Sequence, residues 1–261
     1  MPGLRAALVG ALWTIAIAGG AVPWTPCHAE PASAFTADGG RYYGPLVYGR
    51  REGQGRVEWD NGARYDGGFR GGLYNGQGRL RLANGEVYDG NFVDGIQSGH
   101  GRLRLPDGAS YVGSFRDGAF DGRGRWDDGQ GNVYEGQFKA GQFHGRGRSS
   151  GPIGVYDGDY VRGQPHGSGE LRHRDGRRYR GAFVRGLFEG KGRFEEPDGS
   201  VYEGDFVAGE FSGQGVLSLP GGARHEGRFK KWRPDGPGTY RDGRGNVVEG
   251  LFVDGALQAR Q

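Results

Sequence analysis

Residues 134–147 read Tyr134-Glu-Gly-Gln-Phe-Lys-Ala-Gly-Gln-Phe-His-Gly-Arg-Gly147, and residues 202–215 read Tyr202-Glu-Gly-Asp-Phe-Val-Ala-Gly-Glu-Phe-Ser-Gly-Gln-Gly215. The two stretches share one pattern, and that pattern fills most of the chain. Tyrosines recur at 42, 65, 88, 111, 134, 156, 179 and 202 in steps of 23 residues, with one step of 22 between Tyr134 and Tyr156. His225 and Val248 continue the register with the tyrosine replaced. Nine repeats start at 42, 65, 88, 111, 134, 156, 179, 202 and 225, and a partial one starts at 248. Below, positions are counted from the tyrosine of each repeat. Such a fixed period marks a repeat architecture, in which each unit is stabilised by its neighbours.

The composition agrees. Of 261 residues, 58 are glycine, and the glycine columns at positions 3, 8, 12, 14 and 21 hold 46 of them. Hydrophobic residues make up 34% and aromatic residues 12%. Aliphatic residues are too scarce for a conventional layered enzyme core. Collagen is excluded because glycine does not fall at every third residue. The aromatic content argues against plain disorder, because disordered chains avoid aromatics. A net charge of +3 is too balanced to make nucleic acid the expected partner.

Positions 1–6 and 13–18 alternate large and small residues, the period of a strand. Positions 7–12 carry turn residues, and a second turn at 19–21 is written Pro106-Asp-Gly108, Pro197-Asp-Gly199 or Asp60-Asn-Gly62. Each repeat is therefore expected to be a β-hairpin. The tyrosine at position 1, the glycine at 3 and an aromatic at 5 share one strand face, with the glycine at 14 and an apolar residue at 16. A ring can lie over a glycine where a Cβ would clash, so a core of rings stacked on glycine backbone is expected. The fold class is all-β: an elongated single-layer array of about nine 23-residue hairpin repeats over 42–258. Repeat 5 is one residue short and has Ser149 at position 16, so a local irregularity is expected there.

These residues resemble the MORN repeat, and the resemblance covers 42 to about 255, with nine copies in register. It implies a β-hairpin array that serves as an interaction module. Members are often linked to membranes, acidic phospholipids, self-association or scaffolding, and some are fused to lipid kinases or a SET-type methyltransferase. Six residues follow Gly255 here, so no appended catalytic domain is expected.

Residues 1–29 read as a signal peptide: Arg5, an uncharged mostly apolar run from Ala6 to Val22, and Cys27-His-Ala29 ending at a cleavage point before Glu30. Export to the periplasm or outside the cell is expected, with anchoring by an uncleaved segment as the alternative. Cleavage removes Cys27, the single cysteine, which suits an oxidising compartment. Residues 30–41 read as a flexible leader.

Nothing points to catalysis. Gly-x-Gly pairs lack the third glycine of a dinucleotide fingerprint. His144 and His166 share position 11 and read as structural, and Asp127-Asp128 lacks the ligand ladder of a calcium loop. No catalytic residue, cofactor or metal is expected. Two columns are candidate interaction surface. Position 15 is arginine in six repeats, Arg56, Arg79, Arg102, Arg125, Arg148 and Arg193, opposite the rings. With the mostly acidic position 2 it forms either a solubilising ion-pair lattice or a rail for an anionic partner. Position 10 carries Tyr74, Phe120, Phe143, Phe188 and Phe211, which either close the core or form an exposed aromatic rim. The expected function is a non-enzymatic exported scaffold for a protein partner or envelope component; anionic phospholipid binding and glycan binding are the alternatives. The strand at 247–253 is expected to lack a hairpin partner and to offer an edge for a homodimer.

Overall fold

The structure is a computed structural model and describes residues 32–258. The signal peptide expected at 1–29 lies outside the described residues. The chain divides into two compact units, one ending at Gln142 and the other beginning at Phe143. The boundary falls inside the irregular repeat 5. Among the described residues there is no α-helix, only strands and one short 3-10 turn at Pro220–Gly222.

Each unit is an antiparallel meander in which consecutive strands pair. In the first unit, Arg64–Arg70, Leu73–Arg81, Val87–Val93 and Ile96–Arg104 follow one another in this way. In the second, Arg178–Val184, Leu187–Glu195, Val201–Val207 and Glu210–Ser218 do the same. The hairpin loop has two residues, at positions 7 and 8. Both have positive φ: 47° at Asp94 and 87° at Gly95, 50° at Ala208 and 90° at Gly209. That is the mirror-image turn whose twist matches the flanking strands, and glycine at position 8 adopts it at no steric cost.

The second strand of each hairpin thus begins at position 9, not 13, and the loop expected over 7–12 is two residues long. The discrepancy is a β-bulge. Gly67 faces Gly78 and Phe69 faces Tyr74, so three residues on one strand oppose five on the other. Gly76 sits inside the bulge with φ of 77°. The same shift recurs between Gly204 and Phe206 in the second unit. The bulge brings position 10 onto the ring face, directly opposite the position 5 aromatic.

The core follows from this register. The glycines at positions 3 and 14 are direct cross-strand partners, as Gly67 and Gly78 are, and the tyrosine lies flat over the pair. A Cβ on Gly78 would sit 2.5 Å from Tyr65 Oη, and one on Gly204 would sit 2.5 Å from Tyr202 Oη. The position 10 ring covers the other side of the tyrosine: Tyr65–Tyr74 centroids are 4.0 Å apart and Tyr202–Phe211 3.8 Å, both nearly parallel. Position 5 aromatics meet the tyrosines edge-on at about 5 Å, within a repeat and from the next one, as Phe92 and Phe115 do around Tyr88. The residue at position 4 has no partner in the ladder at the bulge, and its carbonyl accepts the tyrosine hydroxyl instead. Tyr88 donates to Asn91 O at 2.9 Å, Tyr134 to Gln137 O at 2.8 Å and Tyr202 to Asp205 O at 3.0 Å. The column needs a ring to cover glycine and a hydroxyl to satisfy that carbonyl, and tyrosine supplies both. Burial pushes the Tyr179 phenol up to about 12.

Departures from the pattern are compensated locally. In repeat 1, Arg51 takes the position 10 slot, donates to Gly72 O at 2.7 Å and lies 5.4 Å from the Phe69 ring centre. In repeats 5 and 6, Ser149 stands where an apolar residue is usual, and Tyr160 replaces phenylalanine; the Tyr160 hydroxyl donates to Ser149 Oγ at 2.7 Å.

Both ends of the array are closed more than the sequence implies. Within the expected leader, Ala34–Phe35 forms a strand paired with Arg41–Tyr43, held by Thr36 Oγ1 accepting the Gly40 N–H. Val247–Val253 does have a hairpin partner, Ala256–Leu257, which pairs with Phe252 and Val253. Leu257 reaches over Gly250, where a Cβ would meet it at 2.6 Å. This narrows the free edge expected there.

Candidate interaction surface

The face opposite the rings is ordered by the same register. Positions 15 and 2 alternate along one row. In the first unit the row runs Arg56, Asp66, Arg79, Asp89, Arg102, Val112, Arg125, Glu135. In the second unit Arg148 faces Asp157, and Arg193 faces Glu203. A parallel row holds position 17 and the residue preceding each tyrosine: Glu58 faces Arg64, and Arg178 faces Glu195. Arg56 is half-buried, and Arg79, Arg102, Arg125, Arg148 and Arg193 are exposed.

Many contacts run along a strand between positions 15 and 17. Arg56 meets Glu58 at 3.3 Å, Arg125 meets Asp127 at 3.3 Å and Arg193 meets Glu195 at 2.7 Å. Arg193 also meets Glu203 across the ladder. In repeat 6 the order is inverted: Glu170 takes Arg178 at 2.8 Å and Arg172 as well, and these two guanidiniums hold its carboxyl down to about 2. Exposed pairs of this kind contribute little stability each, about 0–1 kcal/mol, but they neutralise the face.

Repeats 2 and 3 break this neutralisation. Their position 17 is arginine, giving Arg79-Leu-Arg81 and Arg102-Leu-Arg104. None of these four arginines makes an ion pair among the described residues. Arg79, Arg102 and Arg104 line a shallow concavity of about 390 Å³ with His100 and a single carboxylate, Asp89. The second unit has a concavity of about 620 Å³ on the same face of its own sheet, where Asp157 and Glu170 stand among the basic residues.

The position 10 column resolves differently from the aromatic rim considered above. Tyr74, Phe120, Phe143 and Phe211 are buried, and Phe188 is partly exposed. Phe120 stacks on Tyr111 at 3.8 Å and Phe188 on Tyr179 at 3.8 Å; Phe143 meets Tyr160 edge-on at 5.9 Å. The bulge is the cause, since it turns this column into the lid of the core. Residues that sequence reasoning missed are the aliphatic pairs beside the hairpin turns, at positions 6 and 9. Val93 faces Ile96 in the first unit, and Val184 faces Leu187 in the second. With Val207, their exposure runs from 37 to 54%. They were hidden because position 9 was read as loop.

The Asp127-Asp128 turn, which lacks a calcium ligand ladder, is held by its own backbone N–H groups. Asp128 Oδ1 accepts the N–H groups of Gln130 at 2.8 Å and Asn132 at 2.9 Å, and its pKa is lowered by the Asn132 side chain and these amides. Among the described residues no group of acidic, histidine or cysteine side chains is placed to hold a metal ion.

Comparison with solved structures finds the TCP10 domain of Danio rerio CPAP, at 16% identity and TM-score 0.40, covering 84% of this chain and 99% of that one. It also finds the SAS-4 (dCPAP) TCP domain of Drosophila melanogaster, solved with a proline-rich motif of Ana2, at 10% identity and TM-score 0.27, covering 88% and 99%. No curated protein matches by sequence. The family model of the MORN repeat matches eight consecutive segments, 42–64, 65–87, 88–110, 111–133, 134–155, 156–176, 179–201 and 202–224. Together with the tyrosine-on-glycine hairpins described above, this places the chain in the MORN-repeat family.

Proposed function

We propose that this chain is a non-enzymatic scaffold, exported to the cell envelope, that holds protein partners on the sheet face opposite its rings. The observation that carries the reading is the asymmetry of the two faces. One is filled by rings, while the other presents ordered charged rows bordered by exposed aliphatic pairs at the turns. Protein interfaces combine such apolar anchors with a polar rim. MORN repeats are interaction modules in general, which supports the same reading. Export is argued from residues 1–29 alone, and a mature N-terminus at Glu30 in an envelope fraction, read by mass spectrometry, tests it.

A second reading, adhesion to an anionic membrane surface, is favoured by the unneutralised arginines of repeats 2 and 3. The glycan reading loses its support, because the position 10 rings it needs are mostly in the core. Photo-crosslinkers placed at Leu187 and Val207 in cells separate the first two. Discrete protein adducts there, with none from a probe at the turn residue Asp198, support the scaffold. Adducts to lipid alone support the membrane reading, and no adduct at either position contradicts both.

A further inference from the structure

We infer that the arginine cluster of repeats 2 and 3 is a binding site for a compact polyphosphate-type anion, a ligand carrying at least two phosphate groups. The inference rests on reading the open face as an interaction surface and names one ligand chemistry for it. Arg79 and Arg81 lie on one strand, two residues apart and on the same face; Arg102 and Arg104 repeat this two strands away. Strand geometry sets them at the corners of a rectangle of roughly 7 by 10 Å. The strand between contributes Asp89, in register with Arg79 and Arg102, and Val87, in register with Arg81 and Arg104. The next strand places Val112 and Ser110 opposite Arg102 and Arg104, with no carboxylate. The preceding strand places Asp66 opposite Arg79, but Asp66 is held by Arg64 at 2.8 Å, so Asp89 is the one acid inside the rectangle of four guanidiniums.

Elsewhere on this face the same position is answered by an acid, as at Arg56–Glu58, Arg125–Asp127 and Arg193–Glu195. The cluster departs from the Arg-x-acid form of repeats 1, 4 and 7 by placing a second arginine where the acid stands. Beside Arg79 and Arg102, on the side away from Arg81 and Arg104, the concavity is floored by backbone at Gly90 and Gly101, which leaves it open to a small group. Guanidinium forks bind phosphate oxygens in bidentate fashion, so two such forks at this separation suit a ligand with two phosphates. A free polyphosphate and a phosphorylated lipid headgroup share this chemistry.

The test is calorimetric titration of the full mature chain with inorganic tripolyphosphate at low salt, paired with flotation on phosphatidylcholine vesicles with and without cardiolipin, whose headgroup carries two phosphates. The key variant is Arg81→Glu with Arg104→Glu, which rewrites both repeats in the Arg-x-acid form that folds elsewhere in the array. Tripolyphosphate binding that weakens at least about tenfold in the double variant and tightens in Asp89→Asn supports a site for a soluble anion. Flotation only with cardiolipin, abolished by the double variant, supports the same site with a lipid headgroup as the source. An Arg56→Ser variant, which removes an already paired arginine, should bind as the parent does. Binding that ignores the double variant, or no binding of either probe, overturns the inference; the crosslinking from Leu187 would be unaffected, so the scaffold reading stands or falls separately.

Discussion

Repeats 8 and 9 are neighbours in the second unit, and they differ at the residue that defines the family. In repeat 8, Tyr202 lies between the Gly204–Gly215 pair and the Phe211 ring, and its hydroxyl satisfies Asp205 O. In repeat 9, His225 covers Gly227 and Gly238 but is too short to reach the corresponding carbonyl, and its buried Nε2 has no partner. Pro234 stands in the ring slot, so nothing aromatic stacks on the imidazole. What survives is the edge-on contact with Phe229 and Phe252, at 5.3 and 4.5 Å. Trp232 takes the turn position of glycine at a φ of 71° and turns back onto Phe211 at 4.3 Å. The tyrosine thus has three separable roles: covering glycine, receiving a ring and feeding a carbonyl. Repeat 9 keeps the first.

That difference can be broken from the repeat 8 side. Tyr202→Ala empties the slot between the glycine pair and Phe211 and should cost about 3–5 kcal/mol. His225→Ala should cost clearly less, because fewer contacts are lost. Equal losses in denaturant unfolding would mean that the stack contributes nothing of its own. Tyr202→Phe keeps the ring and removes only the hydroxyl. It leaves a buried carbonyl unpaired and should cost about 1–2 kcal/mol, read as faster amide exchange around Asp205. From the other side, His225→Tyr should stabilise repeat 9 by about 1 kcal/mol, visible as slower exchange in Arg224–Lys230 and Arg233–Arg241.

The smallest effect is that of pH. Burial lowers the His225 pKa below its ordinary 6.5. Between the folded and unfolded values, the unfolded chain binds a proton that the folded chain does not. The stability of repeat 9 is therefore full above about pH 6.5 and falls as the pH drops below it, levelling off under the folded value. The protection factors of amides in repeat 9, relative to intrinsic exchange at each pH, should fall over that window while those of repeat 8 stay level, and His225→Tyr should remove the effect.

The columns explain what could be read from sequence. Gly67 and Gly78, 11 residues apart, carry the same message in every repeat, so the period and the glycine–ring pairing were legible before any coordinates. The bulge was not. Asn75 and Gly76 look like loop residues, and counting parity through them misplaces Leu73 and leaves the face of Tyr74 open. The positive φ of Gly76 carries the correction, and one sequence does not print a dihedral. At the candidate surface, parity put Arg79 and Arg102 opposite the rings. Arg81 and Arg104 were overlooked although the signal was there, as Arg-Leu-Arg where other repeats have Arg-Val-Glu58 or Arg-Trp-Asp127. The terminal strands Ala34–Phe35 and Ala256–Leu257 are two residues long and too short to show a period.

The ring above it, not backbone freedom, dictates the glycine pair. Gly215 and Gly199 separate the two causes. Gly215 has its Cβ space filled by the Tyr202 ring, while Gly199 has φ of 91° and open space around it. Gly199→Ala should cost only the left-handed penalty, about 1–2 kcal/mol. Gly215→Ala must displace a buried tyrosine and should cost about 3 kcal/mol or more. Unfolding of the two variants, measured side by side, should show Gly215→Ala as clearly the more damaging; equal losses, or a greater loss at Gly199, would contradict the account.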